Sequence, residues 1–108
     1  MATIEIPFSR EMAIAAIEGR KVATTRSEPK GEIGDEFEIL ANQPLDGDIA
    51  TFRMLEIMAV DLITVRDLYF RLEGFESPAA FEKTWRALHR GHFITGKLYY
   101  MHVFGRVA

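Results

Sequence analysis

A helical pattern that stops at Gly19, followed at once by a β-branched run from Val22, constrains this chain more than any other stretch of it. Ser9 is suited to cap a helix N-terminus, and Met12, Ile14, Ala15, Ala16 and Ile17 follow with helical spacing. Gly19 then ends the helix as the residue past its C-cap, where a left-handed backbone is required. Val22 to Arg26 reads as a short strand. Gly19-Arg20-Lys21-Val22-Ala23-Thr24-Thr25-Arg26 is therefore a helix-to-strand junction with three cations, two hydroxyls and no acid. A junction built this way aims several polar side chains at one place.

The rest of the chain is punctuated in the same manner. Glu28-Pro29-Lys30-Gly31 and Gly34-Asp35 are turns, with a strand at Phe37, Ile39 and Leu40 after them. Pro44 to Asp48 reads as a loop and Thr51 to Val60 as a longer strand. Thr64 opens a second helix, with Asp67 in the capping-box position, Leu68 and Leu72 facing inward and Gly74 as its stop. Ser77-Pro78 starts a third helix that runs to about Arg90 and stops at Gly91. On it, Phe81, Trp85 and Leu88 form the apolar face, and Lys83, Arg86 and Arg90 the opposite one. Leu98 to Val107 is a final aromatic strand, with one of Tyr99 and Tyr100 facing out. This order predicts an α+β fold: a small, mostly antiparallel sheet curled toward a β-barrel and flanked by about three helices.

Composition narrows the functional classes. A length of 108 residues, 48% hydrophobic and with eight Phe, is enough for one core, so residues 1–108 read as a single domain. No apolar run is long enough to span a membrane, and the first residues carry neither a basic nor an apolar signal region. The absence of cysteine excludes disulfides, thiolate catalysis and Cys-ligated zinc. A cytoplasmic protein fits all of this. His89, His92 and His102 lack metal-ligand spacing, so no metal is expected, and no cofactor motif is present. The net charge of −3 is unevenly spread: residues 32–82 sum to −9, whereas 20–31 sum to +3 and 83–108 to +5. If the fold joins the two basic segments, they form an anion-attracting side.

Lys21 and Thr24 are the residues best suited to chemistry. A hydroxyl becomes a nucleophile when a base takes its proton, and lysine serves as that base if burial or a neighbouring cation lowers its pKa. On a strand Thr24 and Arg26 share a face with Val22, whereas Lys21 has the other parity. Lys21 therefore meets Thr24 only from the bend after Gly19. A solvated Lys beside a β-forming Thr has the same pattern. Glu73, just before Gly74, opposes the helix dipole, and beside Lys21 it would hold the amine or shuttle protons. Trp85, Phe93, Tyr99, Tyr100 and Phe104 belong to the core or stack on bases.

Taken together, Gly19-Arg20-Lys21-x-x-Thr24-x-Arg26, the turn Gly31-x-x-Gly34-Asp35, Glu73-Gly74-Phe75, then Ser77, Phe81 and Trp85, and a closing Val103-Phe104 resemble the ASCH domain family, a branch of the PUA-like β-barrels. The resemblance spans residues 6–107. It implies a small barrel whose cleft is lined by the Gly19–Arg26 segment, in a family proposed to bind RNA. One small branch of that family hydrolyses the amide of N4-acetylcytidine. The resemblance to it implies Lys21 as base, Thr24 as nucleophile and Glu73 as acid–base or positioning partner.

Two functions follow as expectations. One is an amidohydrolase acting on an acylated cytidine. The other is a module that binds a nucleoside or short single-stranded RNA without turnover, with Arg20, Arg26, Arg86 and Arg90 on phosphates and no membrane partner. Sequence leaves the oligomeric state open.

Overall fold

The computed structural model describes residues 3–41 and 48–108. Most of the loop expected at Pro44–Asp48 lies outside the described residues, and Asp48 is already in a strand. The elements run α1 (Arg10–Ile17), β1 (Ala23–Arg26), β2 (Glu36–Ala41), β3 (Asp48–Val60), α2 (Leu62–Leu68), α3 (Pro78–Leu88) and β4 (Tyr99–Arg106). Ser9 caps α1, its hydroxyl accepting from the Met12 N–H at 3.3 Å. Gly19 leaves the helix at φ +84°, and the Arg20 and Lys21 N–H groups both donate to the Ala15 carbonyl.

The strands form one antiparallel sheet in the order β1-β4-β3-β2. The α+β expectation holds. The barrel expectation holds only in part, because β1 and β2 are the edges of the sheet and no ladder joins them among the described residues.

A bulge in β3 sorts the core into two clusters. Leu55 is the extra residue, since Met54 pairs with Phe104 whereas Glu56 pairs with Val103. One inserted residue exchanges the faces of everything after it. Ala50, Phe52 and Met54 accordingly pack with Phe37, Phe104 and α1, while Met58 and Val60 pack with Phe81, Trp85, Met101 and α2. Burying each large apolar side chain this way contributes about 1.5–3 kcal/mol.

Three expectations about the helices are corrected. Helix α2 starts two residues earlier than Thr64, because Asp61 is its cap and accepts from the Thr64 N–H at 2.8 Å. That start turns Leu62, Val65 and Tyr69 inward, at i, i+3 and i+7, and leaves Leu68 and Leu72 exposed at 70% and 37%. Helix α2 also ends at Leu68, so Glu73 and Gly74 belong to the turns after it. In α3, Ser77 caps as expected and Phe81 and Trp85 are buried, but the helix ends at Leu88, which is exposed. Arg90 (φ +56°) and Gly91 (φ +83°) then reverse the chain. Tyr99 is buried and Tyr100 less so, as their alternation requires.

Candidate functional site: a buried lysine–glutamate pair in a cleft at the β1 edge

The turns after α2 are fastened to the start of β1. The Leu72 carbonyl accepts from both the Val22 N–H (2.8 Å) and the Ala23 N–H (3.0 Å). Glu73 itself is anchored by its N–H to the Tyr69 carbonyl at 3.2 Å. Gly74 adopts φ +94°, and a Cβ there would lie 3.0 Å from the Lys21 Cβ. The glycine therefore serves both its backbone conformation and the close approach of Lys21.

This stitching places Lys21 on Glu73. The Lys21 Nζ donates to the Glu73 carbonyl at 3.0 Å and to Glu73 Oε1 at 3.1 Å. The second carboxylate oxygen, Oε2, accepts from the Thr25 hydroxyl at 2.7 Å. All three residues are buried, with Lys21 at 2% and Glu73 at 3% exposure. Burial pushes the Lys21 pKa below its usual range. The charge of Glu73 and its hydrogen bond oppose that shift, and the charge of Arg26 adds to it.

Thr24 is on the opposite face of β1, as its parity requires. Its hydroxyl oxygen accepts from Arg26 Nη1, and the same guanidinium donates to the Thr25 carbonyl (3.0 Å) and the Pro7 carbonyl (2.8 Å). Arg26 also lies over the Phe8 ring, 5.4 Å from its centroid. Its pKa is lowered by burial, against the pull of Glu73. Behind Thr24, His102 is fully buried: Nδ1 donates to the Thr24 carbonyl at 3.2 Å and Nε2 accepts from the Lys30 N–H at 2.8 Å. That pairing requires a neutral imidazole with its proton on Nδ1. Burial, the largest cause, lowers the His102 pKa accordingly.

Both faces of β1 open onto one cleft of about 790 Å³. Lys21, Thr24, Thr25, Arg26 and Glu73 line one side, and Phe75, Phe81, Trp85, His89 and Tyr99 line another. Trp85 and His89 stack at 4.0 Å between centroids, and Tyr99 meets Trp85 edge-on. Arg90 and Lys97 complete the basic part, and Glu73 is the sole acid among the described residues that line the cleft. Since Lys21 neutralises that acid, the field in the cleft favours an anion or an electron-rich ring.

The expected site residues thus fall into three groups. Lys21 and Glu73 meet directly. Thr24, Arg26 and Arg90 line the same cleft without touching that carboxylate through any hydrogen bond. Arg20 and Arg86 lie elsewhere: Arg20 pairs with Glu18 on the surface, and Arg86 bonds Glu82 and the Gly91 carbonyl. Thr25 and His102 were not foreseen. For Thr25 the signal was present, since it shares the parity of Lys21; for His102 only the fold supplies it.

No family model matches the sequence, and no curated protein matches it. Solved structures do. An ASCH protein from Zymomonas mobilis superposes with a TM-score of 0.70 at 19% identity, over 95% of this chain and 66% of its own. The ASCH domain from Lactobacillus crispatus JV V101 gives 0.65 at 13% identity, over 97% of this chain and 78% of its own. A DUF984 protein from Enterococcus faecalis V583 gives 0.66 at 20% identity, over 98% of this chain and 75% of its own. At these identities the likeness speaks for the fold: this chain has the fold of an ASCH domain.

Proposed function

We propose that the cleft binds an acylated cytidine and hydrolyses its exocyclic amide. The observation that carries this reading is the buried Lys21–Glu73 pair in a cleft wall that also presents the Thr24 hydroxyl. An amine kept from water, with its pKa lowered by burial, gives up its proton more readily than a solvated lysine does. In the proposed reaction Lys21 first passes an ammonium proton to Glu73. Its free amine then takes the Thr24 hydroxyl proton as Thr24 Oγ1 attacks the acetyl carbonyl. Water in the cleft relays that proton, because the two side chains are on opposite faces of β1. The C–N bond then breaks as Lys21 returns that proton to the departing amine. Water hydrolyses the acyl-threonine by the same exchange, so that amide and water give cytidine and acetate. Arg26, which donates to Thr24 Oγ1, would favour the alkoxide as it forms. His89, exposed and stacked on the buried Trp85, offers the ring surface in the cleft on which a pyrimidine would stack.

The test is incubation with N4-acetylcytidine, following loss of the acetylated chromophore. Wild type should turn it over, and Thr24→Ala and Lys21→Ala, checked for folding by circular dichroism, should lose about 100-fold or more in kcat. Equal rates in both variants and wild type would exclude this chemistry.

A second reading is favoured by Arg26, Arg90 and Lys97 in the same cleft as the aromatic rings. Here the cleft holds a nucleoside or short single-stranded RNA without turnover. Binding would then weaken steeply with added salt, since phosphate contacts release counterions.

A further inference from the structure

The Lys21–Glu73 pair has a third member that the proposed chemistry does not use. Thr25 is on the Lys21 face of β1, opposite Met101 in the neighbouring strand, and it is 2% exposed. Its hydroxyl reaches Glu73 Oε2 at 2.7 Å, the shorter of the two side-chain bonds to that carboxylate. No buried side-chain nitrogen or oxygen among the described residues lacks a partner, and Thr25 supplies the donor for Oε2.

The consequence is geometric. Glu73 Oε1 faces Lys21 and Oε2 faces Thr25, so the plane of the carboxylate is set by two donors four residues apart, one just before β1 and one within it. With Thr25 removed, Oε2 would be a buried charged atom without a donor, and the carboxylate would turn to find one. In turning, it would give up the 3.1 Å bond to Lys21. A threonine suits the task because its branched Cβ has few rotamers within a strand, so the hydroxyl is aimed before the carboxylate arrives.

We propose that Thr25 is a positioning residue: its hydroxyl fixes the Glu73 carboxylate, and through it the Lys21 amine, in the geometry the cleft needs. This assignment rests on reading the cleft as hydrolytic for its effect on rate, but not for its effect on Lys21. Thr24 and Thr25 therefore divide the labour of two adjacent hydroxyls. One faces the substrate side with Arg26, and the other serves the ion pair.

The experiment compares Thr25→Val, which keeps the shape and loses the donor, with Thr25→Ser, which keeps the donor; Thr25→Ala replaces Thr25→Val if that variant does not fold. Two readouts are taken: the titration of the Lys21 side chain by NMR on lysine-labelled protein, and kcat and KM for N4-acetylcytidine. In Thr25→Val the Lys21 titration should move to lower pH, because the carboxylate that opposes the burial effect has turned away. Loss of a hydrogen bond to a charged group should lower kcat about 10- to 100-fold with KM nearly unchanged. Thr25→Ser should restore both. A Lys21 titration that stays in place in Thr25→Val, or a serine variant no better than valine, overturns the proposal. If wild type does not turn the substrate over, the hydrolytic reading fails, while the Lys21 titration still decides the role of Thr25.

Discussion

Lys21 and Glu73 are 52 positions apart in sequence, and each is almost wholly removed from water. Lys21 holds Glu73 twice, by its backbone carbonyl at 3.0 Å and by its carboxylate at 3.1 Å. A buried pair of this kind adds little to stability as a pair, because desolvation of both charges offsets their attraction. Its single members, however, cannot be removed cheaply, and this separates two kinds of variant.

Lys21→Met should leave the Glu73 carboxylate buried opposite no cation, and Glu73→Gln should leave the ammonium buried without its counter-charge. Each should destabilise by about 3–5 kcal/mol. The double variant should cost clearly less than the two together, since neither charge is then stranded. Urea unfolding of the four proteins measures the cycle. Additive losses would mean that the two side chains do not interact.

Gly74 is the second point of strain if altered. Gly74→Ala must hold φ near +94° and bring its Cβ to 3.0 Å from the Lys21 Cβ. The backbone conformation alone should cost about 1–3 kcal/mol. The displaced Lys21 should also lose its bonds to Glu73, so catalysis or ligand binding should fall further than stability does. Thermal unfolding beside a ligand titration separates the two effects. Gly19→Ala serves as a control: it also has positive φ, but no atom lies within 4 Å of its would-be Cβ.

His102 ties stability to pH. In the folded protein burial lowers its pKa below the usual 6.5. Between that lowered value and 6.5 the unfolded chain binds the proton and the folded one does not, so folding loses stability as pH falls through this window. Above 6.5 the contribution of His102 is fully present. Protonation would also turn Nε2 from acceptor to donor and break its bond with the Lys30 N–H. Urea midpoints from pH 8 down to pH 5 should fall in wild type. In His102→Gln the fall should be shallower, from a lower starting value. Parallel slopes would assign the pH dependence to other groups.

Much of this architecture was legible from local rules. The Ser9 and Ser77 caps, the Gly19 stop and the strand after it depend on neighbours in sequence, and each forms as expected. Helix α2 was harder to read, because Asp61 and Thr64 are both competent caps and the choice between them decides whether Leu62 or Leu68 is buried. The bulge at Leu55 left no local mark. Barrel closure depends on strand pairing across the whole sheet, and the pairing seen leaves β1 and β2 as edges. In the site, the parity of Lys21 already separated it from Thr24 and matched it to Thr25. What sequence could not supply was the Leu72 carbonyl that fastens the Glu73 turn to β1, and with it the meeting of the two charges.

The arginines expected on phosphates should now part into two classes. Arg26 and Arg90 line the cleft, whereas Arg20 is engaged with Glu18 and Arg86 with Glu82, both outside it. Trp85 is the single tryptophan of the chain and lines the cleft, so its fluorescence can follow binding there. Titrated with a short single-stranded RNA at low salt, Arg20→Ala and Arg86→Ala should bind within about two-fold of wild type, because the ion pairs they give up are exposed and weak. Arg26→Gln should bind about 10-fold or more weakly, as expected when a charge-assisted hydrogen bond is removed. Arg90→Ala should fall with Arg26→Gln if phosphate lies toward the α3 end of the cleft. A set in which Arg20→Ala weakens binding as much as Arg26→Gln would move the ligand out of the cleft and onto the surface beside α1.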